Sequence, residues 1–127
     1  MKQIAAAVLL LFAGFVTASQ LRLTGTYSSL RFGTEDLSGA EITLVYGGNG
    51  FYAVVQCSEG SPGIPLVVPV QVQQASIEFR VTAASSGCPE SRFVGSVTAE
   101  GLSGVFEGTQ WPGFLKRGKS YWQSSGP

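Results

Sequence analysis

A regular alternation of side chains through residues 92–109 limits the folds open to this chain more than any other feature. On both sides of the short segment 99–101, apolar or small residues that would face a core alternate with residues that would face outward. Period-two spacing around a short glycine-containing turn is typical of a β-hairpin. Gly95 and Gly104 each lie between bulky residues on one face of their strand, which indicates close backbone approach or strong curvature. The stretch therefore predicts a small, sharply bent sheet.

The same period recurs along the chain and predicts about eight short strands. Asn49-Gly50 ends the strongest turn signal, the segment 47–50, because an Asn-Gly pair supplies the positive φ angles of a tight hairpin. No helical periodicity of useful length follows the first nineteen residues. In addition to the hairpin at residues 92–109, the expected strands are 21–30, 40–46, 51–57, 66–72, 75–82 and a last short one around 119–123.

This pattern predicts an all-β, antiparallel meander of about eight strands. The linkers are mostly of hairpin length, which favours a closed or nearly closed up-and-down barrel. Pro69 cannot donate a hydrogen bond to a neighbouring strand, so its strand is expected to be an edge or to be bulged there. An open edge would favour the alternative, a two-sheet β-sandwich.

The first nineteen residues resemble a bacterial export signal. Lys2 precedes an apolar run over residues 4–16, which is too short to span a bilayer comfortably and ends in small residues that suit cleavage. The alternative is a retained N-terminal anchor. We expect a signal peptide at residues 1–19 and one domain at residues 20–127, periplasmic or extracellular. No later apolar segment is long enough to span a membrane.

The two cysteines, Cys57 and Cys88, are expected to form a disulfide, because an exported chain meets an oxidising compartment. The loop of about thirty residues would contribute roughly 3–4 kcal/mol on the chain-entropy account. The alternative is a redox-active or metal-binding pair, although the Cys-x-x-Cys spacing is absent.

The composition argues against an enzyme. The sequence contains no histidine, which excludes Ser-His-Asp and Cys-His catalysis and His-dependent metal sites. A carboxylate pair of the glycosidase kind remains conceivable. The acidic residues, however, occupy turns or outward strand positions, and Glu41, Glu78 and Glu107 are expected to share the outer surface with Arg80 and Arg92. We therefore expect no enzymatic activity, no cofactor and no metal.

Charge gives no reason to expect a nucleic-acid partner. The sequence holds eight basic and eight acidic side chains, and loss of Lys2 with the leader leaves a net charge of about −1. The possible partners are therefore a protein or a small apolar ligand.

The aromatic residues divide into two groups. Phe51, Phe79, Phe93 and Phe106 fall on inward faces, where filling the core is a simpler function than lining a ligand cavity. Trp111 lies in a Trp-Pro-Gly loop, where it would either cap the core or meet a partner. The basic and aromatic terminus could bind an acidic partner or a carbohydrate. The candidate contact surface comprises Trp111, Phe114, Lys116, Arg117, Tyr121 and Trp122.

Gly25-Thr26-Tyr27, together with the basic Lys116 and Arg117 near the end, resembles the calycin superfamily. That superfamily includes lipocalins, avidins and small bacterial inhibitors of secreted metalloproteases. The resemblance implies a barrel in which an aromatic residue of the first strand packs under a basic side chain of the last. In the inhibitors, the segment before the first strand enters the protease. The ending from Leu115 to Trp122 also resembles small secreted proteobacterial proteins of unknown function.

These observations predict a secreted, non-catalytic binding or interaction domain. The alternative is a small barrel-type inhibitor of secreted proteases, for which export, one disulfide and the calycin resemblance are the reasons.

Overall fold

A computed structural model describes residues 21–124, which fold into nine β-strands, a 3₁₀ turn at Ala84–Ser86 and one short helix. The all-β prediction is confirmed, and the expected signal peptide lies outside the described residues. The elements are β1 (Gly25–Ser28), β2 (Arg31–Phe32), β3 (Leu37–Gly47), β4 (Gly50–Gly60), β5 (Leu66–Gln73), β6 (Ser76–Arg80), β7 (Arg92–Val97), β8 (Gly101–Phe106), β9 (Pro112–Arg117) and α1 (Tyr121–Ser124).

The strands form an antiparallel meander that closes into a barrel. From β3 to β9 each strand pairs with the next along the chain, and β1 pairs with both β3 and β9. Tyr27 marks the closure, since it lies opposite Ile42 on one side and Arg117 on the other. The two-residue β2 adds only to β3 and stays outside the eight-stranded ring. The predicted barrel is confirmed and the sandwich alternative is wrong.

The β3–β4 hairpin has the expected position but not the expected backbone. Gly47 pairs with Gly50, and the positive φ belongs to Gly48 (φ 60°) rather than to the Asn-Gly pair that follows. The turn between β5 and β6 contains Gln74, whose φ is 57°. In both hairpins the left-handed residue is the first of the two turn residues, which suits the twist of the flanking strands.

The interior of the barrel is filled by side chains from every strand of the ring. The inward faces expected from the alternation are confirmed along most strands, but Tyr46 is 60 % exposed because the end of the β3–β4 hairpin projects beyond the core. The core comprises Tyr27, Ala40, Ile42, Leu44, Ala53, Val55, Cys57, Val68, Ile77, Phe79, Val81, Cys88, Phe93, Val97, Leu102, Phe106 and Leu115.

An aromatic row runs through this core. Phe79 stacks on Phe93 with ring centroids 4.9 Å apart, and Phe93 meets Phe106 edge to face at 5.3 Å. Trp111 continues the row by stacking on Phe106 at 6.0 Å. Phe51 instead packs edge-on against Tyr46 at the hairpin end. Three of the four phenylalanines expected in the core therefore touch one another.

Cys57 and Cys88 form the expected disulfide, with Cα atoms 4.9 Å apart. Both cysteines are buried. The bond joins β4 to the loop after the 3₁₀ turn, and the Ile64 amide donates to Ser85 O at 2.7 Å beside it. A Cβ on Gly63 would overlap the carbonyl of Ser86, so the two loops meet backbone to backbone.

The expected last strand at 119–123 is wrong. The chain enters β9 at Pro112, after a cis Trp111–Pro112 peptide bond, and leaves it at Arg117. Residues 121–124 then form one helical turn. The Trp122 amide donates to Ser120 Oγ at 3.1 Å, and the Ser120 amide donates to Gln123 Oε1 at 3.2 Å. This reciprocal arrangement is a capping box, which favours a helix start over a strand.

Candidate binding sites

A concave site of about 330 Å³ lies between the barrel wall and the C-terminal segment. We call it the C-terminal pocket. It contains three residues of the candidate contact surface, which come from β9 and from the segment after it. Its lining comprises Ser28, Leu30, Lys116, Arg117, Gly118, Lys119, Ser120, Tyr121 and Ser124.

The C-terminal pocket carries positive charge that no carboxylate within residues 21–124 pairs with. Lys116 and Lys119 are exposed, and Arg117 is partly buried. Within residues 21–124 the ion pairs are those of Arg92 with Glu78 and Glu107, so these three cations have no carboxylate partner there. The lining contains no acidic residue.

Arg117 joins the start of the barrel to its last strand. Its guanidinium lies 4.8 Å from the centre of the Tyr27 ring and donates to Thr24 O at 3.1 Å and to Arg22 O at 2.6 Å. The Tyr27 hydroxyl donates to Leu23 O at 2.6 Å. Burial raises the pKa of this phenol above its ordinary value, and the nearby Arg117 cation offsets only part of that effect.

Glu41 corrects the expectation that it lies on the solvated outer surface. It points outward from β3, but the C-terminal segment covers it, so that only 7 % of the residue remains exposed. Its carboxylate accepts hydrogen bonds from the Ser120 hydroxyl and, at 2.8 Å, from the Tyr121 amide. The Ser120-x-x-Gln123 capping pattern could have indicated the helical turn, but not that this turn covers Glu41.

A second anchor holds the same segment on the neighbouring strand. Gln56 lies directly opposite Glu41 in the β3–β4 ladder. Its side-chain oxygen accepts the indole N–H of Trp122 at 2.8 Å, and its amide nitrogen donates to Gly63 O at 2.7 Å. The segment is therefore fixed with Tyr121 in the C-terminal pocket and Trp122 beyond it, over β4.

The structure separates the candidate contact residues into three places. Lys116, Arg117 and Tyr121 line the C-terminal pocket. Trp111 packs partly buried against the core, and Phe114 is 50 % exposed on the wall beside Gly101. The six residues do not form one continuous surface.

Two other acidic residues of the barrel wall, Glu78 and Glu107, share one basic partner. Arg92 lies between Glu78, at 3.2 Å, and Glu107, at 2.8 Å, on the outer surface, as expected. The hydrogen bond to Glu107 and the charges of both carboxylates raise the pKa of Arg92. No group of three potential metal ligands occurs among residues 21–124. No helix in that range is long and apolar enough to cross a membrane.

A second concave site opens where β5 and β6 separate. Their ladder ends at the pair Gln71–Glu78, although β5 remains paired with β4 as far as Leu66. A groove of about 520 Å³ occupies the gap, which we call the β5–β6 seam. The groove is lined by Val67, Val68, Pro69, Val70, Gln71, Glu78, Phe79, Arg80, Thr82 and Arg92.

Pro69 explains where the ladder stops. Backbone groups of alternate residues point to the same neighbouring strand, so Pro69 faces β6, as Gln71 does. Proline has no amide hydrogen to donate, and pairing ends before it. The expectation that the Pro69 strand is an edge is wrong, since β5 pairs with both β4 and β6, but Pro69 lies where the β5–β6 ladder has ended.

No family model, curated protein or solved structure matches the chain.

Proposed function

We propose that the protein is an exported, non-catalytic binding domain that uses the C-terminal pocket to recognise an acidic segment of a partner protein. The observation that carries the proposal is the convergence of Lys116, Arg117 and Lys119 on one concave site without a carboxylate among its lining residues. Unpaired cations at a surface attract negatively charged partners and speed their association.

The shape of the molecule supports binding at the outer surface rather than inside the barrel. The inward positions hold large side chains such as Tyr27, Phe93 and Phe106, all fully buried, and the aromatic rings contact one another. A carrier of small apolar ligands needs an interior space of several hundred Å³. The disulfide supports the proposal of export, since such bonds persist in oxidising compartments.

The test uses a fluorescein-labelled octaglutamate peptide and fluorescence anisotropy at low ionic strength. We expect the unmodified protein to bind it, and Lys116→Glu combined with Lys119→Glu to weaken binding by about ten-fold or more, as loss of charge-assisted contacts does. The matched control is Arg31→Glu, which reverses an exposed cation on β2 outside the pocket. No binding, or equal binding by the double variant, would overturn the proposal.

A second candidate is a calycin-like inhibitor of secreted proteases. It is favoured by the position of Arg117 over the Tyr27 ring, which is the pairing of first and last strands that the resemblance implies. The lead-in before β1 is held by the same arginine, through the carbonyls of Arg22 and Thr24. If the purified protein leaves a panel of secreted metalloproteases and serine proteases at full activity, this candidate is wrong.

A further inference from the structure

The β5–β6 seam leaves strand edges unpaired in the wall of an otherwise closed barrel. The Val81 amide donates to Ser91 O at 3.0 Å, on the side of β7. Because backbone groups alternate between neighbours, those of Arg80 and Thr82 point instead toward β5. Neither residue has a partner on β5 in the described ladders.

The edge of β5 that faces β6 also has backbone groups without a hydrogen-bond partner on β6. Val67 and Pro69 direct their backbone groups toward β6, and both carbonyls, as well as the Val67 amide, lack a ladder partner there. The seam thus offers backbone donors at Val67 and Arg80 and acceptors on both edges. Such groups are satisfied by another extended backbone, which supplies donors and acceptors at the same spacing.

Successive side chains along both edges of the seam point alternately into the barrel and out to solvent, as they do beside a bound strand. Val68 and Phe79 are buried at its floor, whereas Val67 is 62 % exposed on its outer rim. Arg80 is also exposed and has no carboxylate within ion-pair distance among residues 21–124. Arg92, which also lines the groove, is shared by the carboxylates of Glu78 and Glu107. Arg80 is therefore the charged residue of the groove lining that has no ion-pair partner among residues 21–124.

We infer that the β5–β6 seam binds an extended segment of a partner protein by strand addition, with an acidic side chain of that segment beside Arg80. The unpaired backbone selects an extended peptide over a compact small molecule, and the exposed guanidinium selects the acidic side chain. This site is separate from the C-terminal pocket and shares no lining residue with it.

A second copy of the chain fits the seam less well than a foreign strand. If two β5 edges paired with each other, each would present Pro69, which has no donor, to its neighbour. Proline on an exposed edge opposes such self-pairing. A partner segment without proline does not carry this defect.

The probes are capped heptapeptides of alternating threonine and valine, in which one outward threonine is replaced by aspartate at each position in turn. Binding is measured by fluorescence anisotropy. One control peptide carries lysine in place of aspartate, and another carries N-methyl groups on alternate amides, which remove hydrogen bonding but keep the side chains. We expect at least one aspartate peptide to bind and both controls to bind about ten-fold more weakly or not at all.

Two protein variants locate the binding. Arg80→Glu should weaken binding of the aspartate peptide by about ten-fold or more, whereas Arg31→Glu, which reverses an exposed cation outside both sites, should leave it unchanged. Pro69→Val restores the missing donor and should let the β5–β6 ladder extend. We expect slower hydrogen exchange of the Arg80 amide in that variant, together with loss of peptide binding.

Each alternative outcome counts against the inference. No binding by any aspartate peptide, equal binding of the N-methylated control, or unchanged affinity in Arg80→Glu would overturn it. So would a dimer in analytical ultracentrifugation that Pro69→Val or Arg80→Glu dissociates, because the occupant would then be a second copy. If the octaglutamate peptide binds and these peptides do not, the seam fails while the C-terminal pocket stands.

Discussion

At the scale of single residues, two glycines in the β7–β8 hairpin make room for an aromatic ring. Gly95 lies directly opposite Gly104. A Cβ at Gly104 would overlap Cζ of Phe93, and one at Gly95 would lie 3.0 Å from Cε1 of the same ring. The ring of Phe93 can therefore lie flat over the backbone and stack on Phe79. These glycines serve close approach, as the alternation in the sequence suggested.

Gly104→Ala is expected to destabilise the fold by about 1–3 kcal/mol, the usual effect of overfilling a packed core. Urea unfolding followed by tryptophan fluorescence measures the change. Gly47→Ala is the matched control, since a Cβ there would meet no atom within 4 Å. Equal unfolding midpoints for the two variants would show that Phe93 does not depend on the glycine.

Residue-scale prediction from sequence works for the interior and fails for Glu41. Inward residues follow from period-two alternation, which is a local property of each strand. The burial of Glu41 depends on Ser120, 79 residues later in the chain, folding back over β3. Alternation correctly places the carboxylate on the outer face, but it carries no information about what covers that face.

At the scale of elements, the C-terminal helical turn is held mainly by polar contacts. Ser120 connects them, because its hydroxyl donates to Glu41 and accepts the Trp122 amide. Removing that hydroxyl would leave a mostly buried carboxylate with one fewer donor. Burying an incompletely satisfied carboxylate costs free energy, so the segment should loosen from the wall.

We expect Ser120→Ala to lower the free energy of unfolding by about 1–3 kcal/mol and to increase acrylamide quenching of Trp122. Trp111→Phe in the background isolates that fluorescence. The matched control is Ser124→Ala, which removes an exposed hydroxyl from the same turn. Quenching that is the same in both variants would contradict the anchoring role of Ser120.

The strands were more predictable than the chain's last element. Each strand of the ring except β9 overlaps an expected one. The reason is that the two faces of a half-buried strand differ in polarity, and this difference is visible as alternation in the sequence. Pro112 and Gly113 were read as a loop, although they begin β9, where Gly113 has a φ of 92°. Residues 119–123 were expected to form the last strand, whereas the capping box of Ser120 and Gln123 favours a helical turn.

At the scale of the whole molecule, the disulfide is the one covalent link between distant parts of the described chain. Cys57 and Cys88 are 31 residues apart in sequence, and their bond ties β4 to the loop before β7. The cross-link restricts the unfolded chain, and its stabilising effect grows with the length of the loop that it closes.

Replacing both cysteines by alanine should lower the free energy of unfolding by about 3–4 kcal/mol. Urea titrations of the variant and of the unmodified protein, each with and without a reductant, measure the effect. The reductant should shift the midpoint of the unmodified protein only. A reductant effect on the alanine variant would point to a cause other than this bond.

The ring closes through its shortest ladder. Only two residue pairs, Tyr27–Arg117 and Ser28–Lys116, connect β1 to β9, whereas eleven connect β3 to β4. Spontaneous opening should therefore begin at this joint. Lys116 and Arg117 belong both to the β1–β9 ladder and to the C-terminal pocket. A ligand bound by these side chains would therefore also stabilise the closed form of the barrel.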